Sequence, residues 1–140
     1  MIKHVYETRA DAAPEVLYRA KADVRTWPEW DDELETVRID GPAVEGARFV
    51  LRPKGGPNVP MRVTEARAPS AFEDIAELPL ARMRTRHAYA PDGAGGTAIR
   101  IEIETTGLLA WVWDRIVARK EAAGLPESTQ RFVSFAKARA

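Results

Sequence analysis

The sequence predicts an α+β domain in which a strongly bent antiparallel sheet of about seven strands wraps around a long C-terminal helix. The order of patterns is one strand, two short helices, a run of further strands and a helix, which is typical of α+β folds. The segment Thr97–Thr106 alternates isoleucines with charged residues, as expected for an antiparallel sheet with one face in water. After Gly107 the apolar residues recur with helical spacing.

Length and composition fit one ordinary globular domain spanning residues 1–140. The chain has 21 basic and 21 acidic residues, so a general attraction to nucleic acid or to acidic membranes is not expected. It has no cysteine, which excludes disulfides and thiolate chemistry. No signal-peptide core or membrane-length apolar run occurs, so we expect a cytoplasmic protein without stable membrane insertion.

The N-terminal elements are a strand over Ile2–Arg9 and a helix that opens at Ala13-Pro14-Glu15, with Asp11 or its neighbours as the cap. Val16, Leu17, Ala20 and Val24 form the apolar stripe of this helix. Trp27-Pro28 is expected to interrupt it, because a residue before proline avoids the α region. A second short helix is then predicted from Pro28 to Asp31.

Six further segments have strand patterns bounded by turn residues, and Pro79-Leu80 is the predicted loop between the fourth and fifth of them. The predicted strands are Leu34–Ile39, Arg48–Arg52, Val59–Arg67, Phe72–Leu78, Arg82–Tyr89 and Thr97–Thr106.

The C-terminal helix is predicted from two apolar stripes separated by Gly124-Leu125-Pro126, where proline predicts a kink or a break and restart. Trp111 and Trp113 begin the helix, and two positions apart they cannot share a face. At most one of them should face the interior, and the other could mark a dimer or partner surface. The first stripe comprises Leu109, Val112, Trp113, Ile116 and Val117, and the second comprises Leu125, Phe132, Val133 and Ala136.

Several of these segments together resemble the SRPBCC superfamily, the group of START, birch-pollen-allergen-like and polyketide cyclase/dehydrase-like proteins. The resemblance rests on Ala13–Leu17, on Asp23–Trp30 with its Asp-Val-x-x-Trp-Pro-x-Trp pattern, on Gly46–Phe49, on His87 and on Gly93–Thr97. It covers nearly the whole chain and implies the helix-grip fold. It also implies a cavity between the concave sheet and the C-terminal helix for an apolar or aromatic molecule, but not one particular activity.

His87 is the main candidate for catalysis. If Met83, Thr85, His87 and Tyr89 face the interior, the strand aims an imidazole and a phenol at the same space. Histidine titrates near neutral pH and could move a proton in a cyclisation or dehydration. The alternative is a half-buried histidine that is hydrogen-bonded for structural reasons.

Asp74 alternates with Phe72 and Ala76 and is therefore also expected to point inward, where burial would raise the pKa of its carboxyl. With His87 and Tyr89 it completes the candidate catalytic set. A bulge in this strand would reverse its phase and turn Asp74 to the outside.

Trp27 and Trp30 could line the cavity entrance and stack on a flat ligand, or anchor the short helices to the sheet. Arg82, Arg84 and Arg86 form a basic stripe that we interpret as a solvated face paired with Glu102 and Glu104, not as a nucleic-acid site. With two distant histidines and no cysteine, neither a metal nor a cofactor is expected.

Three functions follow as alternatives: binding of a small hydrophobic molecule (aromatic, acyl or polyketide-like), a cyclase/dehydrase that uses His87 with Asp74 or Tyr89, and a protein-binding module. A homodimer stays open. The predicted lining residues are Trp27, Trp30, Phe49, Leu51, Met61, Val63, His87, Tyr89, Ile101, Val112 and Ile116.

Overall fold

A computed structural model describes residues 1–140 and contains one seven-stranded sheet in which every neighbouring pair is antiparallel. The spatial order of the strands is β1-β7-β6-β5-β4-β3-β2, so the first strand closes onto the last and the remainder form a meander. This confirms the predicted fold class. The strands are β1 Ile2–Ala10, β2 Leu34–Ile39, β3 Arg48–Pro53, β4 Val59–Arg67, β5 Ala71–Leu78, β6 Ala81–Pro91 and β7 Thr97–Thr106.

The helical segments between β1 and β2 differ from the prediction. Helix α1 spans Pro14–Ala22, and a 3₁₀ helix spans Val24–Glu29 with Pro28 inside it. The chain leaves the helical region at Asp23, before the Trp27-Pro28 step that was expected to end the first helix. The predicted cap is also wrong, since α1 begins after Ala13 with no side-chain cap. The following Pro14 needs no donor at this position.

The C-terminal helical region has four consecutive parts: α2 Ala110–Trp113, a π-helical turn Asp114–Ala118, α3 Arg119–Ala123 and α4 Leu125–Ala138. The predicted break is confirmed at Gly124, and Pro126 lies in the first turn of α4, where no intrahelical donor is needed. No helix of the protein combines the length and the apolar character that crossing a bilayer requires.

The predicted apolar stripe over Leu109–Val117 is wrong at its end, because Ile116 is 51% exposed. The buried residues of this region are instead Ala110, Asp114 and Ala118. The π-helical turn holds an extra residue compared with an α-helical turn, so it shifts the phase of the residues that follow. Spacing by 3.6 residues therefore fails at this point.

The concave face of the sheet carries the core. Phe49, Val63, Phe72 and Ile101 are buried on it, and the 3₁₀ helix packs Trp27 edge-on against Phe49 and Phe72, with ring centroids 5.7 and 6.3 Å apart. Edge-to-face contacts of this kind add to the stabilisation from apolar burial. Helix α4 packs on α1, and Trp30 meets Phe132 at 5.0 Å between centroids.

The convex face carries the predicted charge pairs. Arg84 bonds Glu104 at 3.3 Å and lies 3.6 Å from Glu102, which confirms the predicted pairing for Arg84, whereas Arg82 pairs with Glu77 instead. Arg84 also bonds Glu73 at 2.9 Å, and Arg86 bonds Glu65 at 3.2 Å. Charged residues of β4, β5, β6 and β7 thus form one network on the convex face.

Candidate functional site

The middle of the concave face is where strands β5 and β6 bring the predicted catalytic residues together. Asp74 on β5 lies opposite Thr85 on β6, which lies opposite Ile103 on β7. His87 lies opposite Ile101 on β7 and opposite Phe72 on β5. Because Asp74 is two positions after Phe72 on β5, Asp74 and His87 are diagonal neighbours on one face. The inward orientation predicted for Asp74, His87 and Tyr89 is confirmed by their burial.

His87 and Tyr89 have polar atoms that no other group of the protein satisfies. Nδ1 of His87 and the hydroxyl of Tyr89 are fully enclosed and have no hydrogen-bond partner, and the two rings lie 6.5 Å apart. Burial, together with the nearby Lys21 ammonium, lowers the pKa of His87 well below its usual value. Burial also raises the pKa of the Tyr89 phenol. At neutral pH both side chains are therefore uncharged hydrogen-bonding groups.

Lys21 of α1 completes the group from the helical side. Its side chain is only 5% exposed, and its Nζ lies 4.6 Å from the ring centroid of Trp27, 5.0 Å from that of Trp30 and 5.7 Å from that of Phe132. The indole Nε1 of Trp27 donates to the carbonyl oxygen of Lys21 at 2.9 Å, which fixes one wall of this aromatic cage. We call these three rings the Lys21 cage. The rings of this cage stabilise the charged form of the amine through cation–π contact.

Asp74 is 4% exposed and accepts no hydrogen bond from the protein. Burial raises the pKa of its carboxyl to about 7, while Lys21 opposes that increase and Glu73 adds to it. Desolvation disfavours the charged form of any buried acid, and here no donor compensates for it. Asp74 therefore titrates in the range where both of its protonation states are populated near neutral pH.

Glu121 of α3 and Asp31 after the 3₁₀ helix form the outer side of the group. Both carboxyls are close enough to Lys21 to raise the pKa of its amine, although burial has the larger effect and lowers it. Burial is also the largest cause of the raised pKa of Glu121, although its side chain is exposed to water. Glu121 is therefore at the surface, on the side of α3 from which its carboxyl still acts on Lys21.

The middle of the concave face is less completely closed than its surroundings. Thr85 is half-buried although its neighbours in register, Asp74 and Ile103, are buried. The head groups of Lys21 and Asp74 have no protein partner, yet they are not among the fully enclosed polar atoms, so the small exposure of these residues lies at the heads. We call the part of the concave face formed by Lys21, Asp74, Thr85, His87 and Tyr89 the inner chamber.

The residues predicted to line a cavity occupy three environments. Most are buried around the concave face, Leu51 and Val112 are partly buried, and Ile116 is on the exposed side of the π-helical turn, away from the buried stripe. The buried ones are Trp27, Trp30, Phe49, Met61, Val63, His87, Tyr89 and Ile101.

Lys21, Asp31 and Glu121 were not predicted as site residues. Lys21 lies four positions after Leu17 and three before Val24, so it belongs to the apolar stripe of α1 and must share its buried face. That spacing was a usable signal. Glu121 has no comparable signal, because the π-helical turn before it changes the helix phase.

A polar pair outside the inner chamber, His4 and Asp114, connects β1 to the π-helical turn. His4 Nε2 lies 2.6 Å from Oδ1 of Asp114, which is only 2% exposed, and Arg119 approaches the other oxygen at 3.5 Å. Asp114 is thus satisfied by its neighbours, in contrast to Asp74. Its place on the buried stripe, between Ala110 and Ala118, makes it an anchor of the helix to the sheet.

A surface groove of about 690 Å³ lies elsewhere, between α1, the β2–β3 loop and the β4–β5 turn. None of the inner-chamber residues lines it, and its walls include exposed charged residues such as Glu15 and Arg25. Four side chains with polar groups that lack a protein partner, Lys21, Asp74, His87 and Tyr89, lie together on the concave face, so we place the candidate site there. No group of three or more histidines and carboxylates is arranged to hold a metal ion.

Comparison with known proteins gives a family and a set of similar folds. Residues 1–133 match the family described as "Polyketide cyclase / dehydrase and lipid transport". No curated protein matches the sequence.

Solved structures that resemble this one include three of different origin. Ara h 8.0201 shares 10% identity over 98% of both chains, with a TM-score of 0.70. Protein MLL2253 from Mesorhizobium loti shares 18% identity over 99% of this chain and 98% of its own, with a TM-score of 0.71. Norcoclaurine synthase from Thalictrum flavum, in complex with dopamine and hydroxybenzaldehyde, shares 12% identity over 95% of this chain and 85% of its own, with a TM-score of 0.70. Identities this low show a shared fold.

Proposed function

Since this chain belongs to the polyketide cyclase/dehydrase and lipid transport family of the SRPBCC superfamily, we propose that it binds one small, largely apolar molecule in the inner chamber. The observation that carries the proposal is a set of polar groups without protein partners at the centre of an apolar face: Lys21, Asp74, His87 and Tyr89. A buried polar group left unsatisfied costs about 1–3 kcal/mol. A ligand whose polar group bonds these side chains would recover part of that cost.

The apolar and the polar side chains of the inner chamber would contribute to ligand binding in different ways. Apolar side chains such as Ile101, Val63 and Phe72 would supply most of the binding free energy through burial of the ligand's carbon skeleton. Hydrogen bonds to the heads of Lys21 and Asp74, which keep a small exposed area, would fix the orientation of the ligand. Norcoclaurine synthase, with this fold, holds two small aromatic molecules, which supports a ligand of similar size here.

The test is binding of a fluorescent apolar probe, anilinonaphthalene sulfonate, with native mass spectrometry of freshly purified protein to detect a retained ligand. Thr85→Trp would fill the chamber and should weaken probe binding at least roughly tenfold, which corresponds to about 1.4 kcal/mol. Arg82→Trp adds the same ring to the outward face of the same strand and should leave binding unchanged. Near-ultraviolet circular dichroism would establish that both variants are folded. Equal binding by both variants would contradict the proposal.

A second candidate function is acid–base catalysis, and the environment of Asp74 is the observation that favours it. A carboxyl with a pKa of about 7 is close to the optimum for proton transfer at neutral pH. The neutral imidazole of His87 would then orient the substrate by a hydrogen bond and not act as the acid, because burial keeps its pKa low.

Ring opening of nitrobenzisoxazole, an apolar carbon acid, would test for a general base in the chamber. The rate should rise as pH increases through about 7, as Asp74 loses its proton, and Asp74→Asn should remove most of it. Glu73→Gln is the matched control, since Glu73 is the adjacent residue on the outward face. A rate that is equal in Asp74→Asn and in the unchanged protein would exclude this role.

A further inference from the structure

Lys21 is the only buried lysine of the five in the chain, since Lys3, Lys54, Lys120 and Lys137 are all exposed. It forms no ion pair and no hydrogen bond through Nζ. A lysine ammonium in a protein interior usually has a carboxylate beside it, because the cost of desolvating an unpaired charge is several kcal/mol. Here three aromatic rings take that place. The rings attract an ammonium through cation–π contact, whereas burial without a carboxylate at ion-pair distance favours the neutral amine.

The chemistry of a neutral amine differs from that of an ammonium. Burial lowers the pKa of Lys21, and the carboxyls of Asp74, Asp31 and Glu121 only partly oppose this. A desolvated lysine in an apolar pocket is a nucleophile toward carbonyl carbon, since its nitrogen lone pair is free of a proton. The head of Lys21 also retains access to the inner chamber, where the proposed ligand would lie.

The groups around Lys21 fit the two proton transfers that imine formation needs. Asp74 can accept the proton that leaves the amine nitrogen and can donate it to the departing hydroxyl, because its carboxyl titrates near neutral pH. The faces of Trp27 and Trp30 flank Nζ and shield it from bulk water.

We propose that Lys21 forms a reversible imine with the aldehyde or ketone group of a small apolar ligand in the inner chamber. The amine adds to the carbonyl carbon, a C–N bond forms, and the carbonyl oxygen takes up a proton to give a carbinolamine. Loss of that oxygen as water then leaves the C=N bond, so one amine and one carbonyl give one imine and one water. The inference rests on the proposed function, because it requires that a ligand enters the chamber.

Reductive trapping tests the proposal directly. The unchanged protein is incubated at neutral pH with benzaldehyde and sodium cyanoborohydride, which reduces an imine to a stable secondary amine. Peptide mapping then measures benzylation at each lysine and at the N-terminal amine. Lys21 should be labelled faster than every exposed lysine, because a lowered pKa raises the neutral fraction of its amine. Labelling of the exposed lysines with none at Lys21 would overturn the proposal.

Two variants separate the roles of the amine and the carboxyl. Lys21→Arg keeps a positive charge but cannot form the imine, so the chamber adduct should be lost. Asp74→Asn should slow labelling of Lys21 without changing that of Lys54, which lies in the exposed β3–β4 turn. If Lys21→Arg does not fold, the map of the unchanged protein still decides the outcome.

The failure of this inference can be distinguished from failure of the proposed function by titrating the same samples with anilinonaphthalene sulfonate. Probe binding without labelling of Lys21 would overturn the imine alone. Absence of both probe binding and labelling would overturn both proposals. Labelling of Lys21 that is blocked by prior addition of the probe would support both.

Discussion

The two faces of the central strands treat polar groups in opposite ways. On the convex face Glu73 accepts bonds from Arg84 at 2.9 Å and from Thr64 at 2.9 Å. On the concave face the adjacent residue, Asp74, accepts none. One step along a strand moves a side chain from one face to the other, so the contrast is produced by neighbouring positions.

The pKa values express the same contrast. Hydrogen bonds from Lys3 and Arg100 lower the pKa of Glu102 on the outside to about 2. Burial raises the pKa of Asp74 on the inside to about 7. The outer carboxyls have hydrogen-bond partners and stabilise the sheet. The inner carboxyl of Asp74 is buried without such a partner, and the free-energy cost of its desolvation is not offset by a hydrogen bond. That difference is the physical reason for placing function on the concave face.

The largest expected effect on the free energy of unfolding comes from the apolar side chains of the concave face. Phe72→Ala would remove a fully buried ring that packs edge-on against Trp27 and Tyr18, and should lower the free energy of unfolding by about 3–5 kcal/mol. Ile75→Ala on the outward face of the same strand should cost about 1 kcal/mol or less. Urea unfolding of both variants measures the difference. Similar losses would show that the two faces contribute equally to stability.

The next effect depends on pH and tests the inner carboxyl. Between its unfolded pKa of 3.8 and its folded pKa of about 7, Asp74 holds a proton in the folded protein that the unfolded chain releases. Its contribution therefore destabilises the fold progressively as pH rises through this range. Asp74→Asn cannot ionise, so it should match the unchanged protein near pH 4 and be more stable at pH 8, by up to about 4 kcal/mol.

Thermal melting at the two pH values checks this expectation. Glu73→Gln is the control on the outer face and should be slightly destabilising at pH 8, because it weakens bonds to Arg84 and Thr64. If Asp74→Asn were less stable than the unchanged protein at pH 8, Asp74 would instead act as a stabilising partner of Lys21.

A smaller loss is expected where an inner polar pair is satisfied. His4→Ala removes the 2.6 Å partner of Asp114 and leaves that carboxyl with Arg119 alone, which should cost about 1–3 kcal/mol. Glu7→Ala, on the same strand but exposed, should change the free energy of unfolding by less than about 0.5 kcal/mol. Chemical denaturation at neutral pH measures both. No loss in His4→Ala would mean that Arg119 satisfies Asp114 by itself.

The sequence predicted the strands well because their signal is local. Alternation over Thr97–Thr106 and over Arg82–Tyr89 indicates which residues share a face, whereas the phase of the strand that holds Asp74 stayed open until the pairing with β6 was known. The break at Gly124 was also local, since glycine and proline act on their own backbone.

What could not be predicted depends on contacts between distant segments. The π-helical turn is such a case, because the buried Asp114 bonds His4 across 110 positions of sequence. The resulting change in helix phase exposed Ile116 and could not be seen in a stripe of 3.6-residue spacing. Lys21 was overlooked for a different reason: its position on the stripe was visible, but the Lys21 cage that accommodates a buried lysine draws one ring from α4.

The smallest effect should come from the outer network, where charges are paired and half exposed. Glu104→Gln removes one of the carboxylates around Arg84 but leaves Glu73 bonded to it at 2.9 Å, so the change should be less than about 0.5 kcal/mol. The effect should shrink further in high salt, because salt screens accessible charges. Urea unfolding at low and high ionic strength measures it. A loss as large as that of His4→Ala, and insensitive to salt, would mean that the outer network is as essential to the fold as the buried pair, and that polar satisfaction alone does not distinguish the two faces.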